Sequence, residues 1–242
     1  MNLRAHPTVR PFALAIGAFP RDGLADRLSF LGTAAEDLSQ ALFLDTLGIL
    51  STFPVRHRVV FRGGESGAPS GLRGTDAKLP ATWRELPQKG LTPMERIQSA
   101  FAELFGMGAE AAVLLSADNP VMPFGTLFDG MMWLLPKKRL LMGPNEDGGL
   151  FAIGAAEKFD WLSKFDSGLG IASDVRAGQS IPDLLEAAAA SAGVERQLID
   201  PAYPVRDRES LKRLAADVAK GAFAPACRKL LERADFKASL AL

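Results

Sequence analysis

The chain has 242 residues, with 28 Lys plus Arg against 28 Asp plus Glu, so its formal charge is zero. That balance argues against a partner gripped through a broad basic face, nucleic acid above all, and equally against an acidic, self-solvating chain. Hydrophobic residues at 48% and charged residues at 23% are ordinary for a globular fold of this length.

Residues 12–18 (FALAIGA) form a short apolar run closed by Pro20, Asp22 and Gly23, the pattern of a buried first strand. Residues 33–50 read as a helix with Thr33 as N-cap and Leu38, Leu42, Leu47 and Leu50 facing the core. Residues 58–62 (RVVFR) read as a second strand. The Gly-, Ser- and Pro-rich stretch 63–81 reads as a flexible surface loop, not a domain boundary. A short strand is expected over 82–86. A capping box at Thr92-Pro93-Met94-Glu95 then opens a helix to Phe105, with Ile97, Phe101 and Leu104 inward. Residues 111–115 (AAVLL) are continuously apolar, as in a parallel strand buried on both faces. A helix over 123–134, strands over 139–142 and 150–153, an Ala-rich helix over 181–192 and a last strand over 197–199 follow. Asp207 caps a helix to Lys220, and one final helix is expected over 225–240. Strands alternating with helices imply an α/β fold: a three-layer αβα sandwich on a mostly parallel Rossmann-like sheet, one domain over 1–242.

The scarce residue types narrow the chemistry. A lone cysteine, Cys227, makes no internal disulfide, which points to a reducing, cytoplasmic setting. His6 and His57 are the only histidines, too few for a zinc centre of imidazole and thiolate. A bound metal therefore has to rest on carboxylates, which selects Mg2+, Mn2+ or Ca2+. No run reaches the ~18 apolar residues of a membrane span, and the apolar run after the N-terminus is short for a signal-peptide core.

Ligands of such sheets bind outside the carboxyl ends of the strands, and four loops fall there. After the first strand come Arg21, Gly23 and Arg27, where paired guanidinium hydrogen bonds can hold phosphate or simply form a solvated basic loop. Ser116-Ala117-Asp118-Asn119-Pro120 follows the strand 111–115; Asp118 either holds a divalent ion across two phosphates or caps the following turn. Gly143 to Gly149 (GPNEDGG) joins two strands, either as a hairpin turn or as a close backbone approach to a ligand, with Asp147 set to position an acceptor hydroxyl or to help hold a metal. The fourth lies over 203–208, where Tyr203, the only tyrosine, reads as a packed residue.

Residues 90–154 resemble a family of bacterial glycosyltransferase-like proteins, the nucleotide-diphospho-sugar transferases of glycosyltransferase A-type fold. The family pattern G-D-L-G-E-R-L, then G-S-D-S-P-x-L-P, then G-P-x-x-D-G-G-Y-Y-L-I-G is met in order by GLTPMERI from Gly90, SADNPVMP from Ser116 and GPNEDGGLFAIG from Gly143. The resemblance implies metal-assisted transfer of a glycosyl or nucleotidyl group from a nucleotide-activated donor to a small-molecule acceptor. Asp118 would hold Mg2+ or Mn2+, Phe19, Arg21, Arg27, Arg96, Gly148 and Gly149 would bind nucleotide and phosphate, and Asp147 would be catalytic. The outer motifs depart from the pattern. Ala25 stands where the family has lysine, and Pro204 and Arg206 stand where it has two aspartates. An Arg206 guanidinium can substitute electrostatically for a cation near phosphates. The alternative is a catalytically degenerate member that keeps the fold and nucleotide binding. Pairing into a homodimer through apolar surface is a further expectation.

Overall fold

The computed structural model describes residues 10–17, 28–32, 34–64, 78–90, 93–135, 138–156 and 181–241. The first strand, β1 (Arg10–Ile16), alternates Phe12, Leu14 and Ile16 on one face with Ala13 and Ala15 on the other, and all five are fully buried. A strand with apolar residues on both faces needs cover on both. The cover differs in kind on the two sides.

Helix α1 (Ala34–Leu50) and helix α3 (Phe124–Trp133) bring Phe43, Leu47, Leu127 and Met131 against the Phe12–Leu14–Ile16 face. Helix α2 (Pro93–Gly106) and helix α4 (Ile181–Ser191) bring Ile97, Phe101, Leu104, Leu185 and Ala189 against the alanine face, with Val59 and Phe61 of β2 (Val55–Gly64). Small residues on that face let the helices approach closely. The result is the expected three-layer α/β sandwich.

Strands β3 (Arg84–Gln88), β4 (Ala111–Leu115), β5 (Arg139–Pro144), β6 (Leu150–Ala155) and β7 (Glu195–Leu198) complete a seven-stranded sheet of order β3-β2-β1-β4-β6-β5-β7. All neighbouring pairs are parallel except those of β6, which runs antiparallel between β4 and β5. The chain builds outward from β1 to β3 and then returns to place β4 on the other side of β1. The crevice between β1 and β4 is therefore a topological switch point. There Ile16 pairs with Leu115, and the Gly17 amide donates to the Leu115 carbonyl at 2.9 Å.

Beyond α1 lies a third cluster. Leu38, Ala41 and Leu42 of α1 pack against Leu211 and Leu214 of α5 (Arg208–Ala219), Cys227 and Leu230 of α6 (Pro225–Leu231), and Phe236 of α7 (Ala234–Ala241). Helix α1 is thus buried on two sides. Asp45, almost completely buried, accepts from the Ala226 and Cys227 amides at 2.7 and 2.8 Å, capping α6 from 181 residues away, where Ala224 at the N-cap supplies no side-chain acceptor.

Several expectations shift. The helix expected over 225–240 is two helices, broken at Glu232 and Arg233, and the break turns fully buried Phe236 into the third cluster. Strand β2 extends through Gly63 and Gly64, shortening the loop expected over 63–81, whose residues 65–77 lie outside the described set. Strand β3 starts two residues later than expected, and β7 is the segment 195–198. The proposed caps Thr33 and Thr92 also lie outside the described residues.

Candidate functional site

Strand β4 ends with the Ser116 amide donating to the Phe151 carbonyl at 2.8 Å, the last sheet bond before the chain leaves the carboxyl edge. Two residues on, the Asp118 carbonyl accepts from the Val205 amide at 2.8 Å. One Asp118 carboxylate oxygen accepts from the Ser116 hydroxyl, which fixes the side chain over the strand end.

The hairpin between β5 and β6 supplies a second carboxylate. The Asn145 amide bonds to the Gly149 carbonyl at 2.8 Å and the Gly148 amide to the Asn145 carbonyl at 3.0 Å, closing a tight turn. Gly148 adopts φ +81°, a left-handed conformation that disfavours any Cβ. The Gly149 amide donates to Asp147 Oδ1 at 3.1 Å, so the turn itself aims this carboxylate. Hairpin turn and candidate site residue were alternative readings of this loop; the turn geometry is what positions the acid.

A third segment joins the two. After β7 the chain runs beside the β5–β6 turn, with Ala202 donating to the Pro144 carbonyl at 3.1 Å and accepting from the Glu146 amide at 3.0 Å. Its path ends in a capping box: Asp207 accepts from the Ser210 amide at 2.8 Å, while Ser210 Oγ accepts from the Arg206 and Asp207 amides at 3.0 and 3.1 Å. Arg206, held between these anchors, donates from Nε to Asp118 Oδ2 and from Nη1 to Asp147 Oδ2, both at 2.6 Å. Its side chain is 6% exposed, against 21% for Asp118 and 29% for Asp147. Beneath the cluster, Asn119 donates to Asn145 Oδ1 at 2.8 Å, an amide pair that ties the β4 exit to the start of the hairpin turn.

The residues fit a divalent ion poorly. All four carboxylate oxygens of Asp118 and Asp147 already accept a hydrogen bond, and two of them face one guanidinium. Among the described residues no group of three or more His, Cys, Asp or Glu side chains gathers as a metal site. Mg2+ or Mn2+ on Asp118 would have to displace Arg206, which bonds both acids.

The other expected residues separate. Arg96 is buried on the first turn of α2, where its Nε donates to the Gly90 carbonyl at 3.0 Å, a bond that ties down the loop before the helix. Phe19, Arg21 and Arg27 lie outside the described residues. Ser116, Asn119 and Asn145 lie within the candidate loops, but nothing in the sequence assigns them the anchoring roles they have here.

Next to the cluster, Glu146, Val121, Met122, Tyr203 and Arg213 help line an open cleft of about 460 Å³. Arg213 makes a two-pronged ion pair with Glu146 at 2.5 and 2.9 Å and lies 3.9 Å from the Tyr203 ring centre. The Arg213 hydrogen bonds hold the Glu146 carboxyl below its ordinary range. Tyr203, packed as expected, donates to Asp217 at 2.7 Å; burial and that carboxylate push its phenol well up. No helix among the described residues is long and apolar enough to cross a membrane.

Comparison with known proteins agrees with this architecture. Residues 49–167, just under half the chain, match the model of a family described as "Uncharacterized protein conserved in bacteria (DUF2064)". No curated protein matches in sequence. Among solved structures, a protein of Desulfovibrio desulfuricans G20, provisionally assigned as a nucleotide-diphospho-sugar transferase, is similar with a TM-score of 0.69 and 18% identity, over 96% of this chain and 94% of that one. The CMP:2-keto-3-deoxy-manno-octonic acid synthetase in complex with CTP has a TM-score of 0.54 and 9% identity, over 86% and 98%. The 2-C-methyl-D-erythritol 4-phosphate cytidylyltransferase of Francisella tularensis has a TM-score of 0.50 and 9% identity, over 85% and 98%. At these identities the likeness is one of fold. The chain thus shares the α/β fold of these solved structures, and its residues 49–167 match the family of uncharacterized bacterial proteins.

Proposed function

We propose that the protein binds a nucleotide-activated donor at the carboxyl edge of the sheet, beside the β1–β4 switch point, and transfers its glycosyl or nucleotidyl group to a small-molecule hydroxyl. The observation that carries this reading is the convergence of Asp118, Asp147 and Arg206, from three separate segments, at that edge. In a glycosyl transfer the acceptor oxygen bonds to the anomeric carbon as the bond to the nucleoside diphosphate breaks. Asp147, aimed by the Gly149 amide, would orient the hydroxyl and take its proton. Gly148 and Gly149 let the backbone approach the acceptor. The Arg206 guanidinium, with Arg21 and Arg27 of the β1 loop, would offset charge on the departing phosphate. The cleft beside Glu146, Tyr203 and Arg213 would seat the acceptor. We expect the whole chain to act as one such domain in the cytoplasm, with a homodimer as its assembly.

A second reading is a binding module that keeps the fold and the nucleotide without catalysis. The engagement of both carboxylates by Arg206 favours it. One experiment separates the two. The full chain is screened by thermal shift against nucleotides and nucleotide sugars, and the stabilising ligands are then followed by phosphorus NMR with a panel of acceptor hydroxyl compounds. Donor turnover that falls at least about tenfold in Asp147→Asn supports transfer. Stabilisation without turnover supports the binding module. A chain stabilised by no nucleotide refutes both.

A further inference from the structure

We infer that Arg206 is the resident cation of this site, a guanidinium standing where a carboxylate pair would otherwise recruit a divalent metal, so that anionic ligands bind here without metal. The inference deepens the nucleotide reading and rests on it for the identity of the ligand.

Two acidic side chains brought together from distant segments need a counter-charge, because like charges at short range in a partly buried site repel strongly. Either a metal ion or a cationic side chain can supply it. Here the guanidinium meets both acids at 2.6 Å and is itself 6% exposed. Its position does not depend on the acids alone. The Arg206 amide is held by Ser210, the next residue caps α5, and the Val205 amide is bonded to the Asp118 carbonyl. The backbone thus presents the side chain in place before any ligand arrives. Nε and Nη1 are taken by the two acids, and Nη2 makes no hydrogen bond to any described residue. A terminal nitrogen with two N–H groups suits a phosphate oxygen.

The ion itself is the first probe. Binding of Mn2+ alone is measured by electron paramagnetic resonance on the full chain, wild type against Arg206→Asp and Arg206→Gln. Wild type should bind no stoichiometric Mn2+ up to about 1 mM, and Arg206→Asp should bind one ion at least about tenfold more tightly, because reversing this charge leaves three acids facing each other. One Mn2+ bound by wild type and lost in Asp118→Asn overturns the inference, and that arm needs no folded Arg206 variant. Arg206→Gln, which keeps a hydrogen-bonding group but no charge, should fall between the two; equal affinity in all three chains also overturns it. Nucleoside diphosphate is the second probe, titrated in EDTA and then in Mn2+. Equal affinity in both supports the inference. Binding that appears only with Mn2+ overturns it while leaving the nucleotide reading intact. If no nucleotide binds in either buffer, the nucleotide reading and the metal-free ligand site fall together, and the Mn2+ titration still decides which cation the acids hold.

Discussion

Replacing Arg206 by Met keeps the apolar stem of the side chain and removes its charge. Two charge-assisted hydrogen bonds, both 2.6 Å, are lost. At ~1.5–3 kcal/mol each, the gross cost is about 3–6 kcal/mol. Asp118 and Asp147 are 21% and 29% exposed, so water recovers part of the loss. A net destabilisation of about 2–4 kcal/mol follows, because the two acids are left uncompensated in a partly dry site. At ~2–4 °C per kcal/mol for a chain of this size, the melting temperature should fall by about 4–16 °C. Urea unfolding followed by circular dichroism measures the free energy directly, with an unchanged slope as the control that the native state is intact. The triple variant Arg206→Met, Asp118→Asn, Asp147→Asn should recover at least about half of the loss, since neutral amides need no counter-charge. The reasoning is refuted by an Arg206→Met chain within about 0.5 kcal/mol of wild type, or by a triple variant no more stable than the single one.

Three further outcomes are expected. Asp45→Ala strips the cap from α6 and should cost about 2–4 kcal/mol in urea unfolding, two buried amides losing their acceptor; a cost below about 1 kcal/mol would sink that account. Tyr203 is the only tyrosine, so absorbance at the phenolate band reads it alone; in the native chain it should stay protonated well above the ordinary value of about 10, and a normal titration would contradict its burial against Asp217. With the folded phenol raised, its contribution is complete below the unfolded value and is lost as pH rises toward the folded one, so stability should decline on the alkaline side. Gly148→Ala should destabilise by about 1–2 kcal/mol because φ is +81°, and a stabilised variant, the usual result at a permissive glycine, would show that the turn is not strained.

The α/β class was legible because the signals were local. Five consecutive apolar residues from Ala111 marked β4 to the residue, and Asp207 marked the start of α5. The antiparallel β6 was less so: an apolar run of six reads the same in either direction, and only the short GPNEDGG turn hints that the chain reverses. The break at Glu232 and Arg233 carries neither Gly nor Pro; it follows from where Phe236 must pack. The site was half legible. Asp118 and Asp147 stood out as acids at strand ends, and Arg206 stood out as a base where an acid was expected. Their meeting was not, because the contacts span 88 and 59 residues and no periodicity encodes them. The bond of Arg96 to the Gly90 carbonyl was not legible either, because the burial that directs it is a tertiary fact.

Chain order gives the cluster a history. Asp118 and Asp147 are synthesised before Arg206, which follows the hairpin acid by 59 residues. At ~5–20 residues per second, an emerging chain carries both acids for roughly 3–12 s before their counter-charge exists. Closing loops of that length adds an entropic barrier that local strand pairing does not face. The edge of the sheet is therefore completed from its C-terminal side, and a nascent chain stalled before residue 206 would hold a sheet whose mouth is still open and negatively charged.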